Sequence, residues 1–311
     1  MTPTTRVVTW RGTAAIELCD GSTIAIVVPE LGMLVASWIV DGVEVIARPG
    51  GLAAVRAGHT TAVPLLYPWA NRLARRSYRA AGRDVNLRGV QLHTDANGLP
   101  IHGTMVARPE WTVAAAGGGR VRARFDFGAD RDLLASFPFP HELEVAVAVA
   151  PGRLTVDTTV AATGGCAVPV AFGWHPYWQL PSPRRRWSLV MPKARHLTLN
   201  RSGIPTGRAE PLAAGPISLD GVGFDDLYAL NDRRRIELTD GDHRLRLDLD
   251  PRYPDAQVYS PLGARFCCIE PMTAPTNALV TGDHPVVEPG TRLTAGFRAT
   301  FARAVSPEPV E

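Results

Sequence analysis

Lysine is almost absent from this chain of 311 residues, cysteine is rare, and no long apolar run occurs. Arginine supplies nearly all of the 33 basic residues, and 30 acidic ones reduce the net charge to +3. So small an excess does not announce a nucleic-acid partner. The densest basic run, Arg184-Arg185-Arg186, reads as a solvated loop ahead of a phosphate site. The four cysteines, Cys19, Cys166, Cys267 and Cys268, offer no Cys-x-x-Cys spacing. The adjacent Cys267 and Cys268 can hardly bridge without strain, so reduced thiols and a cytoplasmic location are expected. The opening residues Met1 to Arg6 lack the apolar stretch of a signal peptide. The most apolar segment, Leu31 to Val40, falls far short of the ~20 residues that span a bilayer. No membrane association is expected.

Motifs for bound cofactors are missing as well. There is no GxGxxG after a strand and no GxxxxGK[ST], which leaves nucleotide binding without support. His93, His102 and His175 stand as isolated histidines without the HExxH spacing of a metal site. The sequence therefore argues for neither a cofactor nor a metal. Helical periodicity is scarce too: no stretch keeps apolar residues at i, i+3, i+4 and i+7 between convincing caps.

What the chain does contain is alternation with a period of two. Val121, Ala123, Phe125 and Phe127 interleave with Arg122, Arg124 and Asp126, the pattern of a half-buried strand. Gly117-Gly118-Gly119, just ahead of it, reads as a hairpin turn. Leu143, Val145, Val147 and Val149 lead into Pro151-Gly152, and Leu154, Val156, Thr158 and Val160 run back as a hairpin. A second hairpin turns at Asp240-Gly241-Asp242, between Ile236 and Leu238 on one side and Leu245, Leu247 and Leu249 on the other. Asp20-Gly21 and Asp41-Gly42 mark further tight turns, and residues 293 to 301 form a last alternating strand. With 29 glycines and 27 prolines spread throughout, the chain reads as many short strands. The fold class is all-β, a large antiparallel β-sandwich. One domain over residues 1–305 is expected, with residues 306–311 as a frayed tail.

Three regions break the alternation: Pro64 to Arg76, Gly98 to Thr104 together with Phe172 to Leu180, and Cys267 to Leu279. Each places a His, Arg or Glu in apolar company, where a charge is costly unless paired or used. Glu270 follows three apolar residues and precedes Pro271. Such a carboxylate is either a buried partner in a structural ion pair or a base whose proton affinity is raised by desolvation. His175, within Phe172-Gly-Trp-His-Pro-Tyr-Trp178, carries the one side chain that titrates near neutrality. A satisfied core histidine is the usual reading of a lone His, but the Gly-His-Pro-Tyr string favours a functional one. His102 beside Gly103, and Asn71-Arg72, add donors suited to hydroxyl groups. Trp69, Trp174 and Trp178 lie near them in sequence, as plates for a sugar face or as core.

The ordered set Asn71-Arg72, Ile101-His102-Gly103, Gly173-Trp174-His175-Pro176-Tyr177 and Cys268-Ile269-Glu270-Pro271 resembles the aldose 1-epimerase (galactose mutarotase) family. The resemblance implies a galactose mutarotase-like β-sandwich that holds a small aldose sugar on a concave face, with Glu270 as general base and His175 as general acid. It implies that His102 and Arg72 hold the ring oxygens, together with an aspartate in an Asp-x-x-aromatic setting that binds a hydroxyl; Asn71, for its amide, and Trp174, for its nearness in sequence, are expected to bind the sugar beside them. Asp225 fits that setting best, with Asp226 as the alternative. Three features depart from the family: Trp178 stands where Phe or Leu is common, Thr104 where a second glycine is common, and residues 181–216 match nothing. The expected activity is interconversion of the α and β anomers of a free aldohexose by a monomer or homodimer. A hexose-6-phosphate epimerase is the nearest rival and needs a cationic pocket, from Arg75-Arg76 or Arg184 to Arg186. A non-catalytic sugar binder is the rival from another class. A glycoside hydrolase would ordinarily need a second carboxylate of the same character.

Overall fold

The structure is a computed structural model, and it describes residues 2–304. The tail expected at residues 306–311 lies outside the described residues. The alternating segments are strands. Arg120–Asp126 buries every second residue, and Phe127 falls in the short 3-10 turn that follows. Glu142–Ala150 and Arg153–Ala161 form the hairpin turned by Pro151-Gly152, with Ala150 opposite Arg153. Arg235–Thr239 and His243–Leu249 form the hairpin around Gly241, with Thr239 opposite Arg244.

Two large sheets carry most of the chain. One has nine strands, in the order Gly215–Ser218, Ser188–Met191, Arg235–Thr239, His243–Leu249, Arg292–Arg303, Arg153–Ala161, Glu142–Ala150, Arg120–Asp126 and Thr112–Gly117. The other runs Pro205–Leu212, Ala194–Leu199, Phe224–Leu230, Asp255–Ser260, Cys267–Met272, Gly173–Trp174 and Leu65–Leu66, with Tyr177–Trp178 also pairing on Cys267–Met272. A five-stranded N-terminal sheet spans Thr4–Trp10 to Val43–Glu44. All named strand pairs are antiparallel, as in hairpins and meanders. Among the described residues, helix is confined to Gly51–Arg56, Arg131–Ser136 and Ala278–Thr281 plus three single 3-10 turns.

The inward faces of the sheets merge in one apolar cluster that reaches from Ala15 to Phe301. Trp174 joins the two large sheets directly: its ring meets that of Phe297 edge-on, with centroids 6.2 Å apart, and its indole N–H donates to Thr158 Oγ1 at 3.0 Å. Burying aromatic surface of this size, with the polar edge satisfied, is what holds the layers together. No helix among the described residues is long and apolar enough to cross a membrane.

Candidate active site

Strand Cys267–Met272 lies between Asp255–Ser260 on one side and the segment 173–178 on the other. Its register decides which side chains meet. Gly173 pairs with Met272 and Tyr177 with Cys268, which sets His175 opposite Glu270. On the other edge Glu270 pairs directly with Gln257, and Tyr259 with Cys268 and Asp225. Directly opposed residues share a face of the sheet. The result is a row Gln257, Glu270, His175 beside a row Asp225, Tyr259, Cys268, Tyr177.

This face floors a cavity of about 200 Å³ lined by His175, Glu270, Gln257, Tyr259, Tyr177 and Asp225, with Thr60, Asn71, Arg72, Ile101 and His102 closing it. His175 Nε2 lies 3.3 Å from Glu270 Oε1, and both side chains are almost wholly buried. The imidazole stacks on the Tyr177 ring, with centroids 4.7 Å apart and planes inclined by 12°. The Tyr177 hydroxyl is held in turn at 2.8 Å from Thr60 Oγ1. The backbone N–H of His175 donates to the Pro64 carbonyl, which fixes the segment against residues 62–66.

The polar wall comes from two loops that pair with each other. Arg72 bridges Ile101, and the His102 N–H donates to the Asn71 carbonyl at 3.0 Å. Asn71 and His102 both adopt left-handed backbone, φ 56° and 62°, which non-glycine residues hold only where the surroundings demand it. Gly103, at φ 68°, packs on Tyr67 so closely that a Cβ there would collide with the Tyr67 carbonyl. That contact brings His102 to the cavity, with its ring 5.3 Å from that of His175, centroid to centroid. The Arg72 guanidinium is spread by three partners: Nε donates to Asp95 at 2.8 Å, Nη1 to Asn71 Oδ1 at 2.9 Å, and Nη2 lies 3.9 Å from Asp225. Asp225 also accepts from Gln257 Nε2 at 2.6 Å.

Burial governs the proton affinities. It pushes the Glu270 carboxyl well above the usual range; Asp225 adds to the rise and Arg72 opposes it. Burial pushes His175 down to about 3, and His102 well below its ordinary value, with His175 and Arg72 adding to the latter. Burial would raise Asp95, yet hydrogen bonds from Arg72, Leu99 and Asn97 outweigh it and hold this carboxyl low. The low dielectric thus favours a protonated Glu270 beside a neutral His175. That pair contains the same single proton as a Glu270 carboxylate beside a His175 imidazolium, and proton transfer across the 3.3 Å gap interconverts them. Either form offers one acid and one base.

The structure therefore gathers Glu270, His175, Arg72, His102, Asn71 and Asp225 around one cavity. Asp226 is on the opposite face of its strand, 2.9 Å from His196. Trp174 requires a correction. Expected at the sugar, it is fully buried between the sheets and does not line the cavity. Adjacent residues in extended chain point to opposite faces, so Trp174 and His175 cannot both look into the site. Trp69 and Trp178 are core as well. Their place beside the site is taken by Tyr177 and Tyr259. Gln257 and Tyr259 were missed, although Asp255, Gln257 and Tyr259 alternate with Ala256 and Val258 and so mark a polar face. Thr60 carries no comparable signal. Among the described residues no group of three or more His, Cys, Asp or Glu side chains is arranged to hold a metal ion.

Comparison with known proteins agrees with the fold. A galactose mutarotase-like protein from Clostridium acetobutylicum superposes with a TM-score of 0.83 at 17% identity, over 96% of this chain and 98% of that one. A GalM/aldose epimerase homologue from C. elegans gives 0.76 at 15% identity, over 94% and 99%. A galactose 1-epimerase from Lactobacillus acidophilus NCFM gives 0.73 at 14% identity, over 97% and 99%. No curated protein sequence matches the chain. The model of the family described as aldose 1-epimerase matches residues 14–300. On that match across nearly the whole length, the chain belongs to the aldose 1-epimerase family of carbohydrate isomerases.

Proposed function

We propose that the protein interconverts the α and β anomers of a free, unphosphorylated aldohexose, with Glu270 and His175 as the proton-transfer pair. The observation that carries this reading is the 3.3 Å approach of His175 Nε2 to Glu270 Oε1 at the floor of one cavity. Two groups that are distant in sequence reach the same anomeric centre only if the sheet register sets them side by side.

The reaction needs no redox step. With the proton on His175, the Glu270 carboxylate takes the proton of the anomeric hydroxyl while His175 gives its own to the ring oxygen. The bond between C1 and the ring oxygen breaks, leaving an open-chain aldehyde. The pair is then in its neutral form, the one burial favours. Rotation about C1–C2 presents the other carbonyl face. His175 then takes the proton of the attacking hydroxyl and Glu270 protonates the carbonyl oxygen, which closes the ring as the other anomer. Charge develops only locally, so a buried site is no obstacle. Arg72, Asn71, His102 and Asp225 hold the remaining oxygens in this reading. The Tyr177 and Tyr259 rings supply the apolar surface that a sugar's C–H face needs.

Charge supports a free sugar over a sugar phosphate. Among the described residues Arg72 is the single arginine or lysine lining the cavity, and it is already engaged by Asp95, Asn71 and Asp225. Arg75 and Arg76 do not line the cavity. Arg184 donates to Ser260 and to the carbonyls of Val222, Ala264 and Phe266, and Arg186 pairs with Asp242. A mere binder has little use for a buried acid–base pair, because burying two ionisable groups is costly. Polarimetry on freshly dissolved α-D-glucose and α-D-galactose tests the proposal. Wild-type protein accelerates the change in rotation, and no acceleration with any aldose would defeat it.

A further inference from the structure

The basic run Arg184-Arg185-Arg186 is not uniformly solvated. Arg185 is exposed and Arg186 pairs with Asp242 at 2.8 Å, but Arg184 is half-buried in the short 3-10 turn ahead of strand Ser188–Met191. Its guanidinium reaches across to the other large sheet. Nη1 donates to Ser260 Oγ at 2.5 Å and to the carbonyls of Ala264 and Phe266 at 3.1 and 3.4 Å. Nη2 donates to the carbonyls of Val222 and Ser260 at 2.7 and 3.3 Å. Ser260 Oγ passes the contact on, donating to the Phe266 carbonyl at 2.8 Å. All of these acceptors are neutral. What they use is the planar fork of donors, which a lysine ammonium cannot reproduce.

The anchored pieces carry walls of the catalytic cavity. Val222 lies just ahead of the strand Phe224–Leu230, which bears Asp225, and Phe224 pairs with Ser260. Tyr259 precedes Ser260 in its strand, and residues 261–266, which belong to no strand, end on Phe266. The Phe266 ring packs on Tyr177 and Tyr259, with centroids 4.9 and 6.3 Å away. Those two rings flank the His175 imidazole at 4.7 and 6.1 Å. With Ala47 and Cys268 they form a small apolar cluster apart from the main core. So few members give little rigidity by packing alone, and the loop that brings Phe266 depends on the bonds that tether it. Without Arg184, the carbonyls of Val222, Ala264 and Phe266 lose a charge-assisted donor.

We propose that Arg184 is a positioning residue for the catalytic cavity. It clamps residues 220–223 to residues 260–266, and through Phe266 it holds the Tyr177 and Tyr259 rings in place beside His175. The inference rests on the anomerase reading and extends it to a residue that does not line the cavity. Loosening the aromatic wall weakens binding of the sugar and of the transition state alike, which raises KM and spares kcat.

The test is initial-rate polarimetry with glucose and galactose on Arg184→Lys, Phe266→Ala and the double variant. Arg184→Lys keeps the charge but not the fork, and it raises KM about tenfold while kcat stays within about threefold of wild type. Phe266→Ala does the same, and the double variant adds less than about twofold, because both changes break one path. Two controls leave KM within about twofold: Arg185→Ala, from the same basic run, and Ile236→Val, a truncation of the buried core in strand Arg235–Thr239. Hydrogen exchange on sugar-free protein reads the clamp without turnover. In Arg184→Lys the amides of residues 220–223 and 259–268 exchange faster, and those elsewhere match wild type. The proposal is overturned if Arg184→Lys keeps the wild-type KM, if Ile236→Val raises KM as much, if the effects of Arg184→Lys and Phe266→Ala multiply, or if exchange is unchanged. Absence of turnover with every sugar in the wild type would instead defeat the anomerase reading, and the exchange comparison then decides the clamp by itself.

Discussion

Replacing Glu270 by glutamine separates chemistry from packing. The amide matches the carboxyl in shape and can still face His175 Nε2 across 3.3 Å, yet it cannot take up a proton. A positioned acid or base contributes a factor of roughly 10² to 10⁴, and the two partners act as a unit. Glu270→Gln therefore lowers kcat by about 10² to 10⁴, equivalent to about 3 to 5 kcal/mol in the barrier. Stability moves the other way. The folded-state pKa of Glu270 is raised by burial, so below the unfolded pKa this group favours the fold, and the contribution is lost as pH rises through the folded value. At pH 7 the unfolded chain ionises Glu270 freely while the native site resists it, and that penalty disappears with glutamine. The variant should melt higher than wild type at pH 7 to 8, and the difference should shrink toward pH 4. Polarimetry with calorimetric sugar binding measures the first effect, and scanning calorimetry across pH measures the second. Activity retained within tenfold, or a Tm lowered at pH 8, would refute the reasoning.

The pH profile of kcat/KM follows from the same pair. Burial holds His175 near 3, so the acid limb falls well below the imidazole's ordinary 6.5; a midpoint near 6.5 in initial-rate polarimetry would contradict the buried geometry. Trp174→Phe removes the indole donor to Thr158 and costs about 1 to 2 kcal/mol in chemical denaturation, while KM for the sugar stays unchanged. A KM raised several-fold would return Trp174 to the binding site. Gly103→Ala places a Cβ against the Tyr67 carbonyl at φ 68°, and denaturant melts should show a loss of more than about 2 kcal/mol with weakened sugar binding. An unperturbed variant would show that the 101–104 loop is not held by this contact.

The strands and turns were legible because period-two alternation and tight-turn residues are local signals. The rows through Val145 and Leu154, and the turn at Gly241, needed no knowledge of the rest of the chain. The segments that carry Asn71, Arg72, His102, His175 and Glu270 were legible for a different reason. Each puts a polar group where the local pattern demands an apolar one, and the family resemblance ties them together. Trp174 misled because nearness in sequence was read as nearness in space, and in extended chain adjacent residues face apart.

The sequence by itself determined the fold class, the strand hairpins and the segments in which polar groups interrupt apolar ones, since all of these depend on neighbours a few residues away. Only the tertiary structure decided that Glu270 meets His175, that Asp225 rather than Asp226 lines the cavity, and that Gln257, Tyr259 and Tyr177 join them. Those choices depend on pairing register between strands, from Gln257 against Glu270, 13 residues apart, to His175 against Glu270, 95 residues apart. A shift of one residue would turn each of these side chains to the other face, and no local pattern encodes that register.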